Sequence, residues 1–148
     1  MKRYSETPKR VFICSPLRPV GETEEERQKD LHRNRQLARF ACRYATEHGC
    51  MPLAPHLYFT EFLIDDDPAD REQGIWYGLK WLEDCDEIWV IERRITEGMK
   101  REIRTARKRG MKERHFVISL RPEERLLNDL VGECYVEMYD DVTRKAFL

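Results

Sequence analysis

Short, almost continuous apolar runs separated by amphipathic stretches most constrain how this chain can fold. The clearest runs are "RVFICS" at 10–15 and "DEIWVIE" at 86–92, and "HFVISL" at 115–120 follows the same pattern. Strands that are apolar along their whole length are typical of parallel sheets with both faces covered. Weaker strands are predicted for "CMPLAP" at 50–55 and, at an edge, within "CYVEMYDDV". We predict a doubly wound, flavodoxin- or Rossmann-like α/β fold, with a parallel sheet of about five strands flanked by helices.

The stretches between these strands have helical spacing. Residues 23–48 carry apolar side chains three and four positions apart, and Gly49 is suited to ending that helix. In "DDPADREQGIWYGLKWLEDC", Asp67 has the character of an N-cap and Pro68 that of a first helical residue. Further helices are predicted at 97–110 and 122–132, while 56–66 fits either a loop or a short helix.

Length, charge and cysteine usage limit the classes of function. A chain of 148 residues suits one domain, 1–148, here with a flexible N-terminus at 1–9. A net charge of -1 lacks the basic excess of a protein that binds nucleic acid polymers. No apolar run is long enough to span a membrane or to form a signal peptide. The five cysteines are scattered singly, which argues against a zinc site or a disulfide framework and fits a reducing cytoplasm.

The loop after the first strand carries the first candidate ligand-binding groups. Open parallel sheets bind ligands at the carboxyl ends of their strands, where the strand order reverses. The segment "CSPLRPVGE" at 14–22 places the hydroxyl of Ser15 and the cation of Arg18 directly after such a strand. These groups suit a phosphate or a carboxylate. The pattern alone leaves equally open a surface loop with a solvated arginine.

A second candidate is the turn in "RRITEGMKRE", between the strand at 86–92 and the basic helix. Thr96 is a good N-cap, and Gly98 lets a ligand approach the first helical turn. Free N–H groups and the helix dipole favour an anion there. Glu102 lies at the edge of the apolar stripe, either partly desolvated in a cleft or paired with a neighbour such as Arg18. Spacing alone favours a structural role for this carboxylate.

Charge is unevenly distributed in the second half of the chain. Residues 60–87 are mostly acidic and residues 93–115 are mostly basic. Such a contrast can steer a nucleotide or pair two subunits, although solvated helix faces explain it more simply. The histidines have no partner at metal-ligand spacing, so we predict neither a metal nor a cofactor.

Four segments, taken in order, resemble a known family: "VFICSPLRP", "PLAPHLYFTEFL", "CDEIWVI" and "ITEGMKREIRTA". They are similar to a family of uncharacterised bacterial and phage proteins that is placed with the nucleoside 2-deoxyribosyltransferase-like fold. The resemblance covers roughly residues 10–120. Better-known relatives are the nucleoside 2-deoxyribosyltransferases and the deoxynucleoside monophosphate N-glycosidases.

This resemblance implies an enzyme that cleaves or transfers at the N-glycosidic bond of a (deoxy)nucleoside or its monophosphate. The relatives use a glutamate as nucleophile on the anomeric carbon of the sugar, and Glu102 matches that residue. Asp86 matches the aspartate that begins the preceding strand. A poorly solvated carboxylate suits an oxocarbenium-like transition state. The substrate- and phosphate-binding residues implied by the resemblance are Ser15, Leu17, Arg18, Thr96, Gly98 and Met99.

The chain departs from these relatives at one position. They carry a second aspartate eight residues before the strand-start aspartate, where this chain has Gly78. This difference favours an alternative, a catalytically inactive nucleotide-binding module such as a sensor or a sequestering protein. A third hypothesis is an interaction protein that keeps only the fold, and we expect a homo-oligomer, a dimer or higher. The candidates for an acid or a sugar contact are Asp70, Glu72, Asp86 and His56.

Overall fold

A computed structural model describes residues 6–119 and a strand at 135–139. All of the described strands belong to one sheet. Its strands are β1 (Lys9–Cys14), β2 (Cys50–Leu53), β3 (Glu87–Ile91), β4 (Lys112–Ser119) and β5 (Tyr135–Tyr139). Their order is β2-β1-β3-β4-β5. The first four strands are mutually parallel, and β5 pairs antiparallel with β4 at the edge. The predicted α/β fold is therefore confirmed, with four parallel strands and one antiparallel edge strand.

The helices lie within about two residues of the predicted bounds: the helix predicted at 23–48 spans Glu24–Glu47, and the one predicted at 97–110 ends at Lys108. Thr23 accepts a hydrogen bond from the Glu26 N–H in a capping box, and Gly49 follows the helix with a φ of 74°. Asp67 likewise accepts from the Ala69 N–H. The segment that fitted either a loop or a helix is a short helix followed by a 3-10 turn at Phe59–Glu61. The helices are α1 (Glu24–Glu47), α2 (Pro55–Tyr58), α3 (Pro68–Glu83) and α4 (Glu97–Lys108).

Some predicted boundaries were wrong or lie outside the described residues. The strand predicted at 50–55 ends at Leu53, because Pro55 already begins α2. The strand predicted at 115–120 begins three residues earlier, at Lys112, where pairing with β3 starts. Lys9, which was predicted to belong to a flexible N-terminus, is the first residue of β1. Residues 1–5 and the helix predicted at 122–132 lie outside the described residues.

Helices cover both faces of the sheet, as the apolar strands predicted. Alternate residues of β1 point to opposite faces, so Val11 and Ile13 pack against α1 while Phe12 and Cys14 pack against α3 and α4. Each of these four side chains is fully buried. Burying one large aliphatic or aromatic side chain contributes about 1.5–3 kcal/mol. Together with the matching residues of β3, they make β1 and β3 the rigid centre of the sheet.

The strand order places the switch point between β1 and β3. After β1 the chain crosses through α1 to β2 on one side, whereas β3 and β4 lie on the other side. Cys14 pairs with Val90, so both strands reach the same edge of the sheet. The loops that follow β1 and β3 diverge there and leave a crevice between them.

The oppositely charged segments face each other within the chain. The acidic helix α3 packs beside the basic helix α4, and Glu72 lies 3.2 Å from Arg101. Glu83 lies 4.0 Å from Arg109. Exposed pairs of this kind contribute about 0–1 kcal/mol each. In the described part of the chain, no helix is long and apolar enough to cross a membrane.

Candidate functional site

A cavity of about 550 Å³ lies at the carboxyl edge of β1 and β3. Its volume is in the range of small-molecule sites. The loop after β1, the segment from α2 to α3 and the start of α4 form its walls. The residues predicted from sequence that line this cavity are Ser15, Leu17, Arg18, His56, Asp70, Thr96, Gly98, Met99 and Glu102.

The start of α4 forms one wall of the cavity and has the predicted cap. The Thr96 hydroxyl accepts a hydrogen bond of 3.2 Å from the Met99 N–H. The N–H groups of Glu97 and Gly98 belong to the first turn of α4, where backbone N–H groups have no acceptor inside the helix. A Cβ placed on Gly98 would come no closer than 3.9 Å to the Thr96 hydroxyl, so the space above this turn is open. These N–H groups and the positive end of the helix dipole suit an anion.

Met99 is a core residue rather than a free ligand-binding side chain. Its side chain is 1% exposed and packs with the residues beneath α4. Its N–H is capped by Thr96, and its carbonyl accepts a hydrogen bond of 3.8 Å from the Cys14 thiol. Met99 therefore forms part of the cavity floor and fixes the position of the first helical turn.

Glu102 faces the cavity because the apolar stripe of α4 fixes the rotation of the helix. Ile103 and Ala106 are fully buried against the sheet, so the preceding residue lies at the edge of the stripe. Glu102 is half-buried there. Burial raises its pKa from 4.5 to about 8, although a hydrogen bond with the Cys14 thiol lowers it in part. At neutral pH the carboxyl group is therefore mostly protonated, in keeping with a carboxyl group that is partly desolvated in a cleft.

Ser15 and His56 form a hydrogen-bonded pair on the cavity wall. The Ser15 hydroxyl is 2.9 Å from His56 Nε2, and Ser15 itself is 5% exposed. Burial and, to a smaller extent, the charge of Arg35 together lower the pKa of His56 to about 4. His56 is neutral at pH 7 as a result. It can orient the Ser15 hydroxyl toward a ligand, but it is not a source of protons near neutral pH.

Arg18 reaches across the mouth of the cavity. Arg18 Nε lies 3.4 Å from Asp65 Oδ2, and Arg18 Nη2 lies 4.0 Å from Asp66 Oδ1. Both acids come from the segment that precedes α3 and also line the cavity. Arg18 is about half exposed and its ion pair is weak, so an anionic ligand can compete for the guanidinium. The sequence left open an ion pair between Glu102 and Arg18. In the structure, Arg18 pairs with Asp65 instead.

Two predicted residues lie away from the cavity. Asp86 precedes β3 at the opposite edge of the sheet, where its carboxylate accepts a 2.8 Å hydrogen bond from the Arg10 N–H. Its position before β3 agrees with a strand-start residue but not with a sugar contact. Glu72 points to solvent from α3 and pairs with Arg101. Helical spacing explains this difference, because Glu72 is two residues after Asp70 and so faces another direction.

Asp70 and Gly78 occupy the α3 wall of the cavity. One oxygen of Asp70 accepts a 2.9 Å hydrogen bond from the Ile64 N–H, which fixes the turn before α3. Gly78 is buried, and a Cβ built on it would meet Pro55 at 3.6 Å, an ordinary contact distance. Position 78 therefore faces this cavity, and only backbone occupies it.

Sequence reasoning missed a polar cluster beside the cavity. Asp30 and Asn34 lie one turn apart on α1, and both are buried. Arg93 and Arg94, which follow β3, donate hydrogen bonds to Asp30. The available signal was the pair of polar residues four apart on the helix face that carries Leu37 and Ala41. Among the described residues, no group of three or more histidine, cysteine, aspartate or glutamate side chains is arranged to hold a metal ion.

The fold and this cavity define an open α/β protein with a ligand-type site at its switch point. Residues 9–116 match the model of a family described as Domain of unknown function (DUF7768). The match covers most of the chain, which therefore belongs to this family. No curated protein matches the chain. The family description assigns no reaction.

Proposed function

We propose that this protein binds a (deoxy)nucleoside monophosphate or nucleoside in the cavity and cleaves or transfers at the N-glycosidic bond. Glu102 is the proposed nucleophile. One observation carries the proposal: a half-buried carboxyl group faces a cavity of nucleotide-site size, beside a helix start suited to phosphate. The order of these groups along the chain is also the order implied by the resemblance to the deoxyribosyltransferase-like enzymes.

The polar and apolar walls suit different parts of such a ligand. A phosphate would accept hydrogen bonds from the N–H groups of Glu97 and Gly98, from the Ser15 hydroxyl and from Arg18. A base would lie against the apolar wall, and the sugar would then lie between the two, near Glu102. The apolar side chains that line this wall are Pro55, Phe59, Leu63 and Ile75.

In the proposed reaction, ionised Glu102 attacks the anomeric carbon of the sugar. The bond from that carbon to the base nitrogen breaks, and the bonding electrons leave with the base, which takes up a proton. Water then attacks the glycosyl ester and releases the sugar with Glu102 restored, or a second base does so and completes a transfer. Because burial raises the pKa of Glu102 to about 8, the reacting carboxylate becomes more abundant as the pH rises toward that value.

Chromatography of free base tests this proposal. Deoxynucleoside monophosphates and deoxynucleosides are incubated with wild-type protein, with Glu102→Gln and with Glu72→Gln. Glu102→Gln keeps the size and removes the nucleophile, whereas Glu72→Gln makes the same change at an exposed position off the cavity. We expect base release by wild type and by Glu72→Gln only. No release by wild type across the set, or full release by Glu102→Gln, would reject the catalytic proposal.

A second candidate function is nucleotide binding without catalysis, and Gly78 is the observation that favours it. The cavity wall has no carboxylate at that position, so one catalytic group of the resembling enzymes is missing. A ligand that binds only the folded state raises the melting temperature by mass action. A thermal shift with a nucleoside monophosphate, without any base release, would support a sensor or sequestering protein. No shift at millimolar ligand would count against both candidates.

We also propose that the protein self-associates, as expected from the sequence. Several large apolar side chains between the start of α2 and the middle of α3 are more than one-third exposed. Contiguous exposed apolar surface is typical of interaction sites. Sedimentation velocity at several concentrations measures the mass in solution, and a monomer throughout would contradict the proposal. The exposed side chains are Tyr58, Phe62, Ile64, Trp76 and Tyr77.

A further inference from the structure

We propose that Asp30 is a positioning residue that holds the loop after β1 in its ligand-binding form. Asp30 acts with Asn34, Arg93 and Arg94, and we call these four residues the loop clamp. The inference deepens the proposed function and rests on it, because the loop carries Arg18, which is proposed to bind the phosphate of the ligand.

The loop clamp contacts the loop backbone at three residues, Leu17, Arg18 and Val20. The Leu17 carbonyl accepts a 3.1 Å hydrogen bond from the Asn34 amide. The Arg18 carbonyl accepts one of 2.5 Å from the Arg94 guanidinium. The Val20 N–H donates one of 2.8 Å to Asp30. The backbone on both sides of the Arg18 side chain is therefore fixed by side chains that lie outside the loop.

The members of the clamp are also bound to one another. Arg93 donates a hydrogen bond of 2.7 Å to Asp30 and one of 2.6 Å to Asn34. Arg94 donates one of 2.8 Å to Asp30. Asp30 is 9% exposed and Asn34 is fully buried. Hydrogen bonds between ionised groups are shorter and stronger than those between neutral groups, so the Asp30–arginine contacts hold the cluster together strongly.

Asp30 stays ionised in this cluster. Burial by itself raises its pKa, but hydrogen bonds from the Val20 N–H, Arg94 and Arg93 outweigh burial, and the pKa is lowered. One carboxylate then faces two guanidinium groups, so the clamp itself carries a net positive charge. Arg94 also lines the cavity, so part of this charge lies where a phosphate would bind.

The clamp joins the two loops that form the switch-point crevice. Asp30 and Asn34 belong to α1, the clamped backbone follows β1, and both arginines follow β3. The clamped residues 17–20 have no helix or strand of their own. The position of Arg18 therefore depends on these side-chain contacts. Loss of the clamp would displace Arg18 and weaken phosphate binding more than binding of the sugar and base.

Hydrogen exchange of the ligand-free protein tests the clamp independently of any ligand. We compare wild type, Asp30→Asn and Glu25→Gln, the last being the same kind of change at an exposed position of α1. In Asp30→Asn we expect the Val20 amide, whose N–H donates to Asp30, to exchange about tenfold faster or more. Glu25→Gln should match wild type. Wild-type exchange in Asp30→Asn would overturn the inference. If that variant does not fold, Arg93→Gln replaces it, since Arg93 supports Asp30 without contacting the loop.

Calorimetry with deoxyadenosine monophosphate and deoxyadenosine tests the functional consequence. Asp30→Asn should bind the monophosphate about tenfold more weakly, with little change for the nucleoside. When Arg18→Gln is already present, Asp30→Asn should have little further effect on the monophosphate, because both act on one contact. Equal losses for both ligands, or additive losses, would overturn the role. If wild type binds neither ligand, the proposed function fails, while the exchange experiment still decides whether the clamp exists.

Discussion

Replacing Glu102 by glutamine should change how the stability of the protein depends on pH. Burial holds the pKa of this carboxyl group at about 8 in the folded protein, against an ordinary value of 4.5. At about 1.4 kcal/mol for each pKa unit, the difference corresponds to about 5 kcal/mol. This is an upper limit, because a half-buried carboxyl group keeps part of its hydration. Glutamine has nearly the same shape as the protonated glutamate and does not ionise.

The direction in which stability changes with pH follows from the number of protons bound in the folded and unfolded states. Below pH 4.5 the carboxyl group is protonated in both the folded and the unfolded chain, and Glu102 imposes no penalty. Between pH 4.5 and about 8 the unfolded chain has released its proton while the folded chain retains it, so the free energy of unfolding falls as the pH rises. Above about pH 8 both states are ionised and the loss is complete. Glu102→Gln should therefore match wild type near pH 4.5 and be more stable by a few kcal/mol near pH 9.

Urea denaturation of both proteins at pH 5, 7 and 9 measures this difference directly. Glu72→Gln is the matched control, since Glu72 is exposed on α3 and should give no comparable trend. If the difference between wild type and Glu102→Gln does not grow with pH, the Glu102 carboxyl group is not desolvated in the folded protein. If the enzyme proposal also holds, kcat/KM for wild type should rise with pH toward the same pKa, because that ratio reports on the free enzyme.

Three further predictions use single substitutions in the same site. Cys14→Ser places a stronger hydrogen-bond donor where the thiol contacts both the Met99 carbonyl and Glu102. Because an ionised carboxylate is the stronger acceptor, the pH midpoint of the activity rise should move to lower pH in a pH–rate profile. Arg18→Gln should weaken binding of a nucleoside monophosphate about tenfold or more, with little effect on the neutral nucleoside, as calorimetry would measure. Gly78→Ala should raise the free energy of unfolding in urea by up to about 1 kcal/mol, because the new methyl group meets Pro55 at 3.6 Å. The Cys14→Ser prediction fails if the pH midpoint does not move. The Arg18→Gln prediction fails if both ligands lose affinity equally, and the Gly78→Ala prediction fails if the free energy of unfolding falls.

The fold was predictable because its signals are local. An apolar run such as β3 is buried on both faces whatever its neighbours are, and the caps at Thr23, Asp67 and Thr96 need only the next three residues. Strand boundaries were less predictable, because pairing sets them. The polar start of β4 at Lys112 is a strand because β3 runs beside it, which the composition of "KER" does not indicate.

The site was predictable only in part, because long-range contacts assemble it. The chain order and the switch-point rule correctly placed Ser15 and Glu102 on one cavity. No spacing rule joins Asp30 to Arg93, which are 63 positions apart in the sequence. The same limit applies to Ser15 and His56, whose contact depends on where α2 packs. Burial of a polar side chain, the property that distinguishes the loop clamp, is fixed only when distant elements meet.

Gly78 offers a way to decide whether catalysis or binding is the function of this cavity. A buried glycine in the middle of α3 costs about 1 kcal/mol relative to alanine and leaves the cavity wall as bare backbone. A Cβ fits there at an ordinary distance from Pro55, so the wall has room for the start of a side chain. If the cavity lacks only an acid, a carboxyl group at this position should supply one.

Gly78→Asp should then release base faster than Gly78→Asn, which has nearly the same size but cannot transfer a proton. General acid catalysis contributes about 100-fold to 10,000-fold where the acid is well placed, so even a poorly placed carboxyl group should give a measurable difference. Both variants need the same melting temperature and the same affinity for the monophosphate for the comparison to hold. Equal rates in the two variants would mean that position 78 does not limit the reaction. A gain seen only in Gly78→Asp, and lost again when Glu102→Gln is added, would show that Glu102 is still placed to attack the sugar.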